Sequence, residues 1–149
     1  MQILFHVGAA RRLISPPPGV ELAGLGYYLN RTWEWVRDDL RATAIVIGDG
    51  QNCAAILALD LMYNDAAFTR KVRELVAAHT DLPPEAICVN FSHSHNAPTA
   101  GLILGAGERD WKYLEFAAGE AAMPLPLPFR RGEGRGEGSV LSSIPRSHQ

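Results

Sequence analysis

Hydrophobic positions along the chain cluster with two spacings, and each spacing predicts a type of element. Residues 3–9 are a short apolar stretch that reads as a first strand. It ends before Ser15-Pro16-Pro17-Pro18-Gly19, where proline fixes φ, lacks an N–H and excludes both helix and central strand. The β-rich runs 41–47 and 53–61 flank Gly48-Asp49-Gly50-Gln51-Asn52, a turn signal that predicts an antiparallel hairpin. Residues 53–59 of the second run are apolar without alternation, which suits a central strand covered on both faces. Phe68, Val72, Leu75, Val76 and His79 then form one helical stripe that Asn64 or Asp65 can cap, with Arg70, Lys71, Arg73 and Glu74 facing water. Asp81-Leu82-Pro83-Pro84 stops that helix. Residues 86–91 predict a further strand, and from about Glu108 the positions Trp111, Leu114 and Ala118 predict a last helix. Strand, hairpin, helix, strand, helix is an α/β arrangement: a mixed β-sheet with flanking helices.

Between these elements, Gly24 and Gly26 permit tight backbone, and the aromatic-rich residues 27–35 lack periodicity and read as a long loop. After Ala122 the pattern collapses. Pro124, Pro126 and Pro128 alternate with Leu, and Gly then alternates with charge over residues 130–138. Such a segment buries no apolar surface, so a folded part over residues 1–122 and a disordered tail over 123–149 are expected. The abruptness of the change suggests a chain parted from its natural C-terminal continuation.

Composition narrows the classes. The 149 residues are 47% hydrophobic and 20% charged, which excludes collagen-like, disulfide-dense and wholly disordered chains. Removing the tail's four Arg and two Glu from a chain of net charge -2 leaves residues 1–122 with 10 basic and 14 acidic side chains, a net of -4. That is no footprint for nucleic acid, and Glu133 and Glu137 interrupt the basic tail without an aromatic between them for stacking. Cys53 and Cys88 lie in apolar runs and are expected as buried free thiols, a bridge between neighbouring strands being the alternative. The longest apolar run falls far short of the ~20 residues of a membrane span. The start shows no signal peptide, so a cytoplasmic location is expected, and without export the sequon Asn30-Arg31-Thr32 carries no weight.

The strongest chemical constellation is His93-Ser94-His95, at the end of a predicted buried strand. Residues two apart on a strand share a face, so both imidazoles can converge on one point. Two neutral imidazoles make half of a tetrahedral zinc site, and a catalytic zinc wants a third protein ligand and an open position for water. The bland alternative is one hydrogen-bonded core histidine beside one solvated histidine. Asp60 closes an apolar run and must find donors; it either hydrogen-bonds a histidine ring N–H or serves as a turn carboxylate. His6, His79 and His148 are weaker candidates. No Gly-x-Ser-x-Gly, phosphate loop or Cys-x-x-Cys is present, so serine-hydrolase, nucleotide and structural-zinc readings have no foothold.

Ile14-Ser15-Pro16-Pro17-Pro18-Gly19, Leu22-Ala23-Gly24, Leu59-Asp60-Leu61 and Ser92-His93-Ser94-His95-Asn96-Ala97-Pro98 together resemble successive motifs of the neutral/alkaline non-lysosomal ceramidase N-terminal domain. The last is similar to that family's Thr-His-Thr-His-Ser-Gly-Pro. The resemblance implies a zinc-dependent amidase that hydrolyses the N-acyl bond of ceramide to sphingosine and fatty acid, in a family whose members are often secreted. It implies His93 as a zinc ligand, His95 beside the metal, and Gly24 as the glycine whose backbone borders it. Zinc-activated water would attack the amide carbonyl. The family's remaining ligands, a His, a Glu and a Tyr, lie in downstream segments that have no counterpart here, and Asn96, Ala97 and Thr99 replace the usual Ser, Gly and Gly.

From this follows the expectation of an incomplete, inactive fragment that binds zinc weakly. The competing readings are a non-catalytic truncated or frameshifted remnant, and another His-x-His metallohydrolase such as an amidohydrolase barrel. The barrel is disfavoured because the pair here follows three predicted strands rather than lying on an early one. Tyr27, Tyr28, Trp33 and Trp35 either line the approach of a ceramide-like substrate or pack against a missing remainder.

Overall fold

A computed structural model describes residues 5–26, 28–123 and 125. The expected start of the first strand, Tyr27, His148 and nearly all of the tail expected to be disordered lie outside these residues. Among the described residues four strands form one mixed sheet: β1 (His6–Leu13), β2 (Arg41–Gly48), β3 (Cys53–Leu59) and β4 (Ile87–Phe91), in that spatial order. β1–β2 and β2–β3 are antiparallel, whereas β3–β4 is parallel and is joined through helix α1 (Ala66–His79) and a short 3-10 turn. A second helix, α2 (Trp111–Ala122), ends the described secondary structure.

Local chemistry sets the element ends. Asp65 caps α1 by accepting from the Phe68 N–H at 2.7 Å, and Asp110 caps α2 by accepting from the Tyr113 N–H at 2.8 Å. The second cap starts α2 at Trp111 rather than near Glu108. Asp49 closes the β2–β3 turn, accepting from the Gln51 and Asn52 N–H groups at 2.8 and 2.7 Å. These bonds hold its carboxyl below the usual carboxylate range. β1 runs on to Leu13, beyond the apolar stretch expected to end near Ala9, because eight register pairs carry it to Leu13↔Arg41. Arg11 and Arg12 are tolerated there because β1 is an edge strand and their charges stay in water.

Both helices pack on one face of the sheet. Ala44 and Val46 of β2, Ala55, Leu57 and Leu59 of β3, and Ile87 of β4 are buried against Phe68, Val72 and Val76 of α1 and Leu114, Ala117 and Ala118 of α2. Leu125 joins this core just beyond α2. Burying each larger aliphatic side chain stabilises by roughly 1.5–3 kcal/mol, so this two-layer packing dominates the fold's stability. His79, expected on the buried stripe, is instead exposed and its Nδ1 bonds the Leu75 carbonyl at 2.7 Å. It sits in the last turn of α1.

Among the described residues nothing covers the other sheet face. The register places Val7, Ile47 and Ala54 in one row and Ala9, Ile45, Ile56 and Cys88 in the next. All seven are exposed, Ile56 at 49%. Two-sided cover of β3 is therefore not what is observed: its apolar run buries alternate residues, and the intervening ones form an open apolar surface. Cys88 belongs to that open face and Cys53 is only partly buried, so neither is the core thiol expected, and both are free. Partial burial still raises the Cys53 thiol pKa.

Candidate functional site

The site is built on the loop that follows β4. Strand alternation does not align the histidines, because β4 stops at Phe91 and both His93 and His95 lie beyond it. The loop instead continues along the extension of β3: the Ser92 N–H donates to the Leu59 carbonyl at 3.0 Å and the His93 N–H to that of Leu61 at 3.1 Å. His93 takes a left-handed conformation, φ 60°, which for a residue with a Cβ costs about 1–2 kcal/mol. That turn brings the two imidazoles together, with ring centroids 5.1 Å apart and planes at 80°. Tyr63 flanks the other side of His93, edge-on at 5.0 Å.

Each ring is anchored by Nδ1. His93 Nδ1 lies 3.2 Å from the Met62 carbonyl, and His95 Nδ1 lies 2.8 Å from the Gly24 carbonyl. A carbonyl only accepts, so in each neutral ring Nδ1 carries the proton and Nε2 keeps its lone pair. Histidines that ligate metals are oriented in this way, the second ring nitrogen donating to a backbone carbonyl or carboxylate. The part that sequence reasoning offered to Asp60 is thus filled by main-chain carbonyls.

Asp60 itself faces β2. Its Oδ2 accepts from the Arg41 N–H at 2.9 Å and its own N–H donates to the Arg41 carbonyl at 2.9 Å, completing the β2–β3 ladder as a turn carboxylate. Its charge is felt by Tyr113. Burial first, and then Asp60, pushes the pKa of that phenol far above its ordinary value while its hydroxyl donates to the Ile14 carbonyl at 2.7 Å.

Gly24 is fixed by two constraints. Its φ is +98°, and a Cβ there would stand 2.8 Å from Met62 Cε, 2.9 Å from Met62 Sδ and 3.0 Å from His95 Nδ1. The Gly24 N–H donates to the Ala106 carbonyl at 2.7 Å, and the neighbouring Ala23 N–H donates to the Ala97 carbonyl at 2.9 Å. Ala23 and Gly24 thus lie between the histidine loop and the loop before α2. Met62, Tyr63 and Arg31 belong to this site and were not singled out from the sequence. Met62 acts through its backbone and Arg31 lay in an apparent sequon, so no spacing signalled them.

The remaining candidates lie elsewhere. His6 is exposed on β1, and His79 is on α1. Of the aromatics, Trp33 donates Nε1–H to the Pro16 carbonyl at 3.1 Å, while Tyr28 and Trp35 are each 70% exposed. Among the described residues no group of three or more His, Cys, Asp or Glu is placed to hold a metal ion. The donor chemistry of His93 and His95 fits two nitrogen ligands to zinc, and further ligands would have to come from beyond this group. No helix among the described residues is long and apolar enough to cross a membrane.

No protein-family model matches the chain, and no curated protein matches it. Among solved structures it is similar to the neutral ceramidase from Pseudomonas aeruginosa, with a TM-score of 0.64 at 16% sequence identity. The match covers 82% of this chain and 21% of that one, so the chain spans about a fifth of the length of the protein it resembles. At that identity the likeness is one of fold: the mixed sheet with its two helices is shared with part of a ceramidase.

Proposed function

We propose that the chain carries part of the active site of a zinc-dependent amide hydrolase of the neutral ceramidase type, acting on a ceramide-like lipid amide. The observation that supports this most is the pair of adjacent imidazoles, each held through Nδ1 by a backbone carbonyl with Nε2 left as a ligand atom. His93 would hold the metal, and His95 beside it would orient or relay a proton. The Gly24 backbone fixes the His95 ring. Zinc, when bound, supplies a Lewis acid and a hydroxide nucleophile near neutral pH. The apolar residues Leu25, Tyr28 and Leu29, exposed on the segment that carries Gly24, suit a lipid substrate.

Activity in this reading needs residues that complete the metal shell. The open sheet face and a metal shell to which this group gives only His93 both favour a unit that works against further protein. The test uses the full 149-residue chain. Zinc should bind weakly, be lost on dialysis, and bind more weakly still in His93→Ala, with negligible turnover of an N-acylsphingosine in mixed micelles. Equal zinc affinity in wild type and His93→Ala would remove the metal-ligand assignment. Stoichiometric zinc after dialysis, or turnover abolished by His93→Ala, would overturn the need for completing residues.

A further inference from the structure

Arg31 reaches across to the histidine loop from a segment more than sixty residues away in sequence. Its Nη2 donates to the His95 carbonyl at 2.6 Å and its Nη1 to Asn96 Oδ1 at 2.8 Å. Both are charge-assisted bonds, stronger than neutral ones and fixed in direction by the planar guanidinium. The fork is held although Arg31 Nε is buried without a hydrogen-bond partner, so the group has given up water to reach this position.

The base of the fork is equally constrained. The Arg31 carbonyl accepts from the Leu22 N–H at 2.7 Å, and Glu21 Oε1 accepts from the Asn30 N–H at 2.7 Å. Glu21 Oε2 also accepts from the Glu108 N–H at 3.0 Å. Residues 21–22 and 30–31 therefore meet and close the loop that carries Gly24. Gly24, within that loop, presents the carbonyl that orients the His95 ring, while Arg31, at its end, grips the His95 backbone. One loop thus holds the same histidine at both its main chain and its Nδ1. Asn96, which departs from the Ser of the resembled motif, supplies the second arm of the grip.

We infer that Arg31, with Asn96, is a positioning residue for His95: it sets the distance between the ring and Gly24 and thereby keeps the proton on Nδ1 and the lone pair on Nε2. This rests on the proposed role of His95 only for its functional meaning, because the arrangement is readable without zinc or substrate. The test is 15N NMR of the histidine rings in the full chain, at a pH above which the ring 15N shifts no longer change, with His95 assigned by loss of its signals in His95→Gln.

Wild type should show the Nδ1–H form of His95 in about tenfold excess, the weight of one net hydrogen bond. Arg31→Ala should shift the ratio about tenfold toward Nε2–H. Asn96→Ala, which keeps the bond to the His95 carbonyl, should shift it less, and Arg31→Lys should fall between wild type and Arg31→Ala. An Arg31→Ala protein that melts at lower temperature with an unchanged His95 ratio would overturn the inference, leaving Arg31 a merely structural brace. If Arg31→Ala does not fold, an unchanged ratio in Arg31→Lys overturns it equally. A shifted ratio in a chain that lacks zinc binding would sustain this inference while removing the proposed function.

Discussion

Replacing Gly24 with alanine tests the site's packing and backbone together. An L-residue at φ +98° carries about 1–2 kcal/mol of backbone strain. The new Cβ meets the end of Met62 at 2.8–2.9 Å and His95 Nδ1 at 3.0 Å. The Met62 terminus can swing away at little cost. The His95 ring cannot retreat without losing its bond to the Gly24 carbonyl, so overpacking adds about 1–3 kcal/mol. Stiffening of the unfolded chain returns about 0.4–1 kcal/mol. The net expectation is a loss of roughly 1–4.5 kcal/mol, a sizeable part of the 5–15 kcal/mol typical of a whole domain. Urea titrations of wild type and Gly24→Ala, followed by Trp fluorescence with equal slopes, measure it. A change below about 0.5 kcal/mol would show that the contact with His95 does not constrain position 24, and the packing described for this site would be wrong.

Other outcomes follow from single contacts. Asp60→Ala should cost about 0.5–1.5 kcal/mol by removing the bond to the Arg41 N–H, with the His93 and His95 ring resonances unmoved; movement of those rings would restore Asp60 to the histidine site. The raised pKa of Tyr113 means the folded state holds its proton more tightly than the unfolded one. That contribution is complete below about pH 10 and is lost as pH rises above it, so stability should fall in alkali and fall less steeply in Tyr113→Phe. At neutral pH the same substitution should cost about 1–2 kcal/mol, because the Ile14 carbonyl loses its donor. Exposed apolar rows should bind a hydrophobic dye: Ile45→Ser with Ile56→Ser should reduce dye fluorescence while changing stability by less than about 1 kcal/mol. Unchanged dye binding would mean that face is covered in solution.

What could be read from the sequence depended on how local the cause was. The β2–β3 hairpin, α1 and its cap were legible because turn chemistry, a 3.6-residue stripe and an N-cap carboxylate act within a few residues. The length of β1 was not, because pairing with β2, rather than its own hydrophobicity, carries it through Arg11 and Arg12. Nor was the fate of the apolar run in β3. Hydrophobicity showed that Ile56 can be buried, but only the arrangement of both helices on one face leaves it open. His93 and His95 were correctly placed together but for the wrong reason. Alternation assumes a continuing strand, whereas a left-handed residue and carbonyls from positions 24 and 62 make the approach. Such long-range main-chain partners leave no trace in residue spacing, and Arg31 was invisible for the same cause.

Zinc titration of the uniformly 15N-labelled full chain, watched at the histidine ring nitrogens, bears most directly on the histidine pair. Nε2 of His93 should move progressively with added zinc while its Nδ1 stays protonated against Met62, and His93→Ala should abolish the strongest zinc-dependent change. Zinc shifts confined to His6, His79 or His148, with His93 Nε2 unmoved, would contradict the metal-ligand reading outright.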